Sequence, residues 1–150
     1  MMTKQAQYQQ LLLQIKALTA DEPDQIANMA NIAAVLHEAF GFWWTGFYRV
    51  EGDMLVLGPF QGPIACTRIP YARGVCGTVW AQGQTIIVPN VHEFAGHIAC
   101  SSESKSEIVV PIHRDGQIIA VLDIDSADYD TFDTIDQHYL EQIVAVLSFT

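Results

Sequence analysis

The stretch EIVVPIHRDGQIIAVLDID, residues 107–125, has the pattern of two β-strands joined by a tight turn. Arg114-Asp115-Gly116, between the two arms, is typical of a hairpin turn with glycine in a left-handed conformation. Both arms are apolar at successive positions, as in a central strand that is covered on both faces. The stretch therefore predicts a hairpin in the middle of a sheet.

The hairpin carries three acidic residues, and its register decides whether they meet. Asp123 and Asp125 are two residues apart and share one face of the second strand. A two-residue turn would send Glu107 to the opposite face, whereas a three-residue turn would pair Glu107 with Asp123. We predict the three-residue turn, which places all three carboxylates together, although a bulge at Pro111 would change the count. The alternative explanation for Asp123 and Asp125 is structural: the second strand would emerge into water after Leu122, and both carboxylates would be solvated.

Clustered carboxylates have three chemical uses. They hold an ammonium group, or one of them is kept protonated by its neighbours and serves as an acid. They also bind hard cations, but no further acid or carbonyl-rich loop is evident near these residues. We therefore expect neither a metal nor another cofactor.

The remaining chain predicts a single α+β domain over residues 1–150, with a mostly antiparallel sheet of about six strands and helices from both termini packed on it. Helices are predicted over 3–18, from an Asp21 cap to Gly41, and over 73–84 and 131–149. In the last of these, four apolar residues should face the core, namely Ile135, Leu140, Ile143 and Leu147. Further strands are predicted over 42–50, 54–62 and 85–89.

Composition and charge exclude several classes of function. Half of the 150 residues are hydrophobic, which is enough to fold around a core, and the net charge of −10 repels nucleic acid and anionic membranes. No apolar run has the length of a membrane span, and MMTKQAQYQQ lacks the plan of a signal peptide. We expect a cytoplasmic protein. The acidity is compatible with a cationic or zwitterionic small ligand, but many soluble proteins are acidic without a functional reason, and the charge alone does not favour a ligand.

Three cysteines are the candidate reactive groups in a reducing compartment. Their spacing matches no zinc pattern, and the histidines before Cys100 complete no four-ligand set. Cys76 falls in the first turn of the predicted helix over 73–84, where amide dipoles favour a thiolate. Cys100 precedes the polar run SSESKS, which predicts an exposed thiol on a mobile loop.

An aromatic cluster marks the strand FWWTGFYRV. By alternation Trp44, Gly46 and Tyr48 share one face, and the small Gly46 between two rings predicts a recess. A methyl-sulfur group would fit such a recess through sulfur–aromatic contact.

Four motifs, GVCG, GHIAC, SEIVVPI and LDIDS, together resemble the free methionine-R-sulfoxide reductases, a catalytic branch of the GAF domain family. The resemblance extends from FWWTGFY to the last helix and implies a GAF-like fold. It further implies reduction of free L-methionine (R)-S-oxide to L-methionine, with thioredoxin restoring the enzyme.

The resemblance also implies residue roles. Cys100 would attack the sulfoxide and become a sulfenic acid, Cys66 would resolve it as a Cys66–Cys100 disulfide, and Cys76 would be an auxiliary thiol. Glu107 and Asp125 are candidate proton donors and, with Asp123, candidate substrate-binding residues. The walls around the substrate methyl group would be two aromatic residues, Trp44 and Tyr48.

Two other classes of function remain open. The chain would be a non-catalytic GAF sensor of a small ligand or of redox state if its cysteines only report oxidation. It would be a zinc-binding interaction domain if the purified protein held stoichiometric metal. An exposed N-terminal helix also suggests a homodimer.

Overall fold

The computed structural model describes residues 1–98, 100 and 103–147, and its centre is a six-stranded sheet. In chain order the strands are β1 Trp44–Glu51, β2 Met54–Gln61, β3 Arg68–Pro70, β4 Ile86–Val88, β5 Ser106–Arg114 and β6 Gln117–Ser126. They lie in the order β3-β2-β1-β6-β5-β4, and each neighbouring pair is antiparallel. The predicted hairpin, β5 and β6, therefore lies within the sheet as expected.

Helices cover both faces of this sheet. They are α1 Lys4–Thr19, α2 Gln25–Phe40, α3 Gly74–Gln82 and α4 Thr134–Val144, with short 3-10 helices at Val91–Glu93 and Ala145–Leu147. The helices α1, α2 and α4 pack on one face, and α3 packs on the other. The α+β architecture predicted from the sequence is confirmed. Among the described residues, no helix combines the length and apolarity needed to cross a membrane.

The second helix begins later than predicted. Its N-cap is Asp24 rather than Asp21, because the Asp24 carboxylate accepts a hydrogen bond from the amide of Ala27 at 2.9 Å. The predicted end is right, since Gly41 adopts a left-handed conformation with φ of 66° and closes the helix.

The inward face of α4 also differs by one position. Leu140, Ile143 and Leu147 are fully buried as predicted, but Ile135 is 37% exposed. The buried face of the helix starts instead at Asp136, three and four residues before Tyr139 and Leu140. Ile135 precedes that stripe and so lies outside the core.

The turn between β5 and β6 has two residues, so the predicted three-residue turn is wrong. Asp115 and Gly116 have φ of 53° and 78°, and Arg114 pairs with Gln117. Two successive left-handed residues are characteristic of the turn whose twist matches a hairpin.

A bulge in β6 then changes the register. Ile112 pairs with Ala120 but His113 pairs with Ile118, so Ile119 has no opposite residue. Beyond the bulge, Glu107 pairs with Asp125 instead of the predicted Asp123. The one-residue shift restores the parity of the hairpin, and the three acidic side chains share one face as predicted.

Candidate active site

The three carboxylates of the hairpin converge beside α3. Glu107 pairs with Asp125 across β5 and β6, and Asp123 is two residues earlier on the same face. Glu107 and Asp123 are only 5% and 6% exposed, and Asp125 is partly exposed. This arrangement is the acidic cluster that the sequence predicted, formed by the two-residue turn and the bulge together.

Protons are held tightly in this cluster. Burial raises the pKa of Glu107 well above its ordinary value, and the charges of Asp123 and Asp125 raise it further. Burial likewise raises the pKa of Asp125, with the charge of Asp123 adding to the shift. Burial also raises the pKa of Asp123, but hydrogen bonds from its neighbours partly oppose that shift. Asp123 therefore ionises most readily, while Glu107 donates to both aspartates and retains its proton.

Cys76 lies against the same cluster and is a neutral thiol. Its side chain is 4% exposed, and burial raises its pKa well above the ordinary value, with the charge of Asp123 acting in the same direction. The predicted thiolate at the start of α3 is therefore wrong. Removing the sulfur from water and placing it beside carboxylates outweighs the amide dipoles of a nine-residue helix.

The other two cysteines form a disulfide. Cys66 and Cys100 are joined with their Cα atoms 5.5 Å apart, and they are the pair that the resemblance implies. Cys100 is exposed, as its polar sequence context predicted. The polar run SSESKS was predicted to be exposed and mobile. Ser101 and Ser102 lie outside the described residues, but Ser104 and Ser106 are 7% and 0% exposed and Ser106 begins β5, so the prediction is wrong for the end of the run.

The two aromatic residues of β1 hold the segment that carries Cys66. The Trp44 indole donates to the carbonyl of Pro63 at 3.1 Å, and the Tyr48 hydroxyl donates to the carbonyl of Cys66 at 2.8 Å. Their rings are stacked with centroids 5.9 Å apart. Both side chains thus contact the chain around the disulfide as well as the cavity described below.

The predicted recess at Gly46 is occupied by protein. A Cβ atom at this position would lie 2.6 Å from Cη2 of Trp44, so the indole itself covers the glycine. Gly46 is required because the same Cβ atom would also overlap Cβ of Phe60 on β2.

One cavity contacts all but one of the predicted site residues. Cys100, Cys76, the three carboxylates and the two aromatic rings line it, and Cys66 lies just outside, bonded to Cys100. Strands β1, β5 and β6, the start of α3 and the segment before β5 supply these side chains. The cavity therefore brings a disulfide sulfur, carboxyl groups with raised pKa values and an aromatic wall to one place.

Sequence reasoning missed three polar residues of this cavity: Arg73, His97 and Ser104. His97 Nε2 lies 3.9 Å from Glu107 Oε1. Burial lowers the pKa of His97 while that of Glu107 is raised, so both groups are neutral. His97 stands three residues before Cys100 in the motif GHIAC, and that proximity was the available signal.

A metal ion also has a possible position in the cluster. Sγ of Cys76 and one carboxylate oxygen each of Glu107 and Asp123 lie within 4.8 Å of one another. Because the pKa of each group is raised, an ion would compete with protons for all three.

Comparison with known proteins agrees with this geometry. The GAF domain model matches residues 24–150. The free methionine-R-sulfoxide reductase of Escherichia coli is 49% identical over 97% of this chain and 89% of its own, and GAF domain-containing protein A of Dictyostelium discoideum is 58% identical over 97% and 92%. The structure of free methionine-R-sulfoxide reductase from Neisseria meningitidis in complex with its substrate is similar with a TM-score of 0.96, at 53% identity over 99% of this chain and 90% of that one. The resemblance seen in the sequence is confirmed, and this chain belongs to the GAF domain family.

Proposed function

We propose that this protein reduces free L-methionine (R)-S-oxide to L-methionine with its own thiols. The observation that carries the proposal is that Cys100, joined to Cys66, lines the same cavity as the buried carboxyl groups. The names of two related proteins, each a free methionine-R-sulfoxide reductase, supply both the free amino acid as substrate and the R configuration at sulfur. Chemistry on a sulfoxide needs both a sulfur nucleophile and a proton donor, and the cavity has both.

In the first half-reaction the reduced Cys100 attacks the sulfur of the sulfoxide as a thiolate. The sulfoxide oxygen takes a proton from Glu107, whose pKa is raised by burial and by the charges of Asp123 and Asp125, so that it carries a proton to donate. The hydroxyl group then moves from the substrate sulfur to the Cys100 sulfur, so that the substrate S–O bond and the S–S bond formed by the attack both break, Cys100 becomes a sulfenic acid and Glu107 is left as a carboxylate. The substrate sulfur is thereby reduced by two electrons, Cys100 is oxidised by two, and methionine leaves.

In the second half-reaction Cys66 attacks the sulfenic acid and water leaves. The product is the disulfide with Cα atoms 5.5 Å apart. A dithiol then reduces this disulfide by exchange, and we propose thioredoxin in the cytoplasm as its source. Cys100 is exposed, which gives an external thiol access to the bond.

Substrate recognition follows from the remaining lining. Asp123, the carboxyl group that ionises most readily, is suited to the substrate ammonium. The faces of Trp44 and Tyr48 are suited to the methyl group on sulfur. Asp125 is placed to share the proton network of Glu107 as the sulfoxide oxygen arrives.

The direct test is oxidation of NADPH in a mixture of the protein, thioredoxin, thioredoxin reductase and free methionine sulfoxide. We expect consumption with the R epimer only, and none with Cys100→Ser. The Cys66→Ser variant should release about one methionine per chain and then stop, because its sulfenic acid has no internal partner. Absence of NADPH oxidation and of any methionine burst from the wild-type protein would refute the proposal and leave a sensor function.

A further inference from the structure

Cys76 is a buried thiol that the proposed reaction does not use. Its sulfur lies within 4.8 Å of one carboxylate oxygen each of Glu107 and Asp123. Within the described part of the chain, no other three metal-ligating side chains meet in this way. Thiolate and carboxylate groups are ligands of Zn²⁺ and related cations. These three groups, called the thiol–carboxyl set below, therefore have the composition of a metal site.

One oxygen of the thiol–carboxyl set has no partner. Oδ1 of Asp123 is buried and accepts no hydrogen bond from any described residue, and Asp123 as a whole is 6% exposed. The large majority of buried polar side-chain atoms are paired, because an unpaired one loses its hydration without compensation. The unpaired oxygen therefore indicates a positively charged ligand, independently of the spacing of the three groups.

Rigid elements hold the three groups. Cys76 is in the first turn of α3, and a Cβ atom at Gly77 would lie 2.6 Å from the carbonyl oxygen of Pro70, so this helix packs directly on the chain before it. Glu107 and Asp123 are on the paired strands β5 and β6. Bonds from zinc to sulfur and oxygen are about 2.0–2.3 Å long, so each ligand atom needs to move by roughly 1 Å or less to enclose an ion.

A fourth ligand and a path from solvent are also present. His97 Nε2 lies 3.9 Å from Glu107 Oε1, and burial lowers the pKa of His97, so the neutral ring offers a nitrogen lone pair. Ile64 and Cys100 are exposed and line the same cavity, so a small ion can enter from solvent. Because Cys76 must lose its proton to bind, cations that form strong bonds to thiolate are favoured over Mg²⁺ and Ca²⁺.

We propose that Cys76, Glu107 and Asp123 bind one Zn²⁺ or a similar thiophilic divalent cation, with His97 or water as the fourth ligand. The ion displaces the thiol proton to solvent. Binding does not require the disulfide to open, because Cys76 is outside it. The ion also occupies two carboxyl groups that the proposed reaction uses, so it should block reduction of the sulfoxide. This block rests on the proposed function, whereas the binding does not.

Cadmium makes the binding visible by absorption spectroscopy. The disulfide form, in which Cys76 is the free cysteine, is titrated with Cd²⁺. We expect the ultraviolet band of a cadmium–thiolate bond to saturate at one ion per chain and to be absent from Cys76→Ser. Zn²⁺ should remove the band by displacing Cd²⁺, whereas Mg²⁺ should not. In calorimetry, Cys76→Ser and Asp123→Asn should each bind Zn²⁺ at least about tenfold more weakly than the wild type.

His138→Gln is the matched control for zinc binding at the surface, because it removes an exposed imidazole on α4. It should leave the zinc affinity unchanged. Absence of the cadmium band from the wild type, or equal zinc affinities of Cys76→Ser and the wild type, would overturn the site. If Cys76→Ser fails to fold by circular dichroism, Asp123→Asn decides. That variant keeps the thiol and should need at least about tenfold more Cd²⁺ to develop the band, and an unchanged requirement would overturn the site.

The block of the reaction is measured separately. Reduced Cys66→Ser should form about one methionine per chain, and saturating Zn²⁺ should abolish this burst until a chelator is added. The double variant Cys66→Ser/Cys76→Ser, compared with its own burst without zinc, should resist the same concentration. A burst that zinc leaves intact in Cys66→Ser, or equal inhibition of both variants, would overturn the block. Absence of a burst without zinc would refute the proposed function, and the cadmium titration would still decide the site.

Discussion

The two faces of β6 differ completely although their residues alternate along one strand. Leu122 and Ile124 are fully buried on the face covered by α1, α2 and α4, where the cluster is aliphatic and aromatic. Asp123 and Asp125 are on the face covered by α3, beside Glu107 and Cys76. One strand thus serves the main core and the cavity at once.

This difference separates stability from chemistry. Each fully buried leucine or isoleucine contributes about 1.5–3 kcal/mol to folding, whereas a carboxyl group removed from water costs free energy unless its hydrogen bonds are satisfied. The apolar face therefore offsets the cost of holding three carboxyl groups on the other. Substitutions on the apolar face should therefore lower the free energy of unfolding without changing the rate per folded molecule. Substitutions on the cavity face should instead lower the rate of reaction.

The largest expected effect is on the cavity face, at Glu107. Glu107→Gln keeps the shape and removes the proton donor, so the first half-reaction should slow by about 100-fold to 10,000-fold. The measurement is the rate of methionine formation in a single turnover of reduced protein. Glu93→Gln, on an exposed residue, makes the same change and should not alter the rate. A near-normal rate in Glu107→Gln would remove this residue from the role of acid.

The next effect is on the opposite face. Leu122→Ala should lower the free energy of unfolding by about 2–5 kcal/mol, because the site is closed on all sides and a cavity would remain. The single-turnover rate per folded molecule should stay close to that of the wild type. Leu13→Ala, on a residue of α1 that is 71% exposed, is the matched control and should change the stability by less than about 0.5 kcal/mol. Urea denaturation of the wild type and the two variants measures these differences. Equal losses of unfolding free energy in Leu122→Ala and Leu13→Ala would show that Leu122 is not part of a tightly packed core.

The apolar face was the more predictable of the two. The periodicity of the helices and the position of the hairpin follow from local patterns of apolar residues, and Gly41 ends α2 as expected. The register of the hairpin could not be predicted from these patterns, because it depends on which residue of β6 forms the bulge. Ile119 forms it, and nothing in the local sequence distinguishes Ile119 from its apolar neighbours. The acidic cluster was predicted correctly only because the turn and the bulge together shift the strands by an even number of residues.

The cavity face depends on contacts between distant segments. The protonation of Cys76 is set by its burial beside Asp123, which outweighs the helix start that the sequence displays. The Trp44 ring covers Gly46, and the alternation of residues along β1 does not reveal this. The sequence therefore indicated the cysteines, carboxyl groups and aromatic rings of the cavity, but it indicated neither the three further polar residues nor the electrostatics, which depend on the packing of α3 against β6.

A smaller effect concerns pH. The pKa values of Glu107 and Asp125 are raised above their unfolded values near 4, so above about pH 4 the folded protein keeps protons that the unfolded chain has lost. Unfolding then releases protons, and stability should fall as pH rises, by up to about 1.4 kcal/mol per pH unit for each group that titrates.

Asp125→Asn sharpens this pH prediction. The variant has one group fewer, so its stability should fall less steeply than that of the wild type between pH 5 and 8. The pKa values of His37 and His97 are lowered in the folded protein, so these two residues make stability rise with pH below their ordinary pKa. Both proteins contain them, and their contribution therefore cancels when the two pH dependences are subtracted. Denaturant unfolding of both proteins in the disulfide form gives the difference, and parallel curves would show that Asp125 is ionised in the folded state.

The smallest expected effect is the reaction of Cys76 with a thiol reagent. In the disulfide form Cys76 is the free cysteine, and it is buried with a raised pKa. At pH 8 the folded protein should therefore release almost no thiolate from Ellman's reagent, whereas the denatured chain should release one equivalent. Cys76→Ala, with no free thiol, supplies the baseline in both states. Rapid release from the folded protein would mean that the dipole of α3 prevails over burial, and the contrast between the two faces of β6 would then weaken, because the cavity face would be open to water.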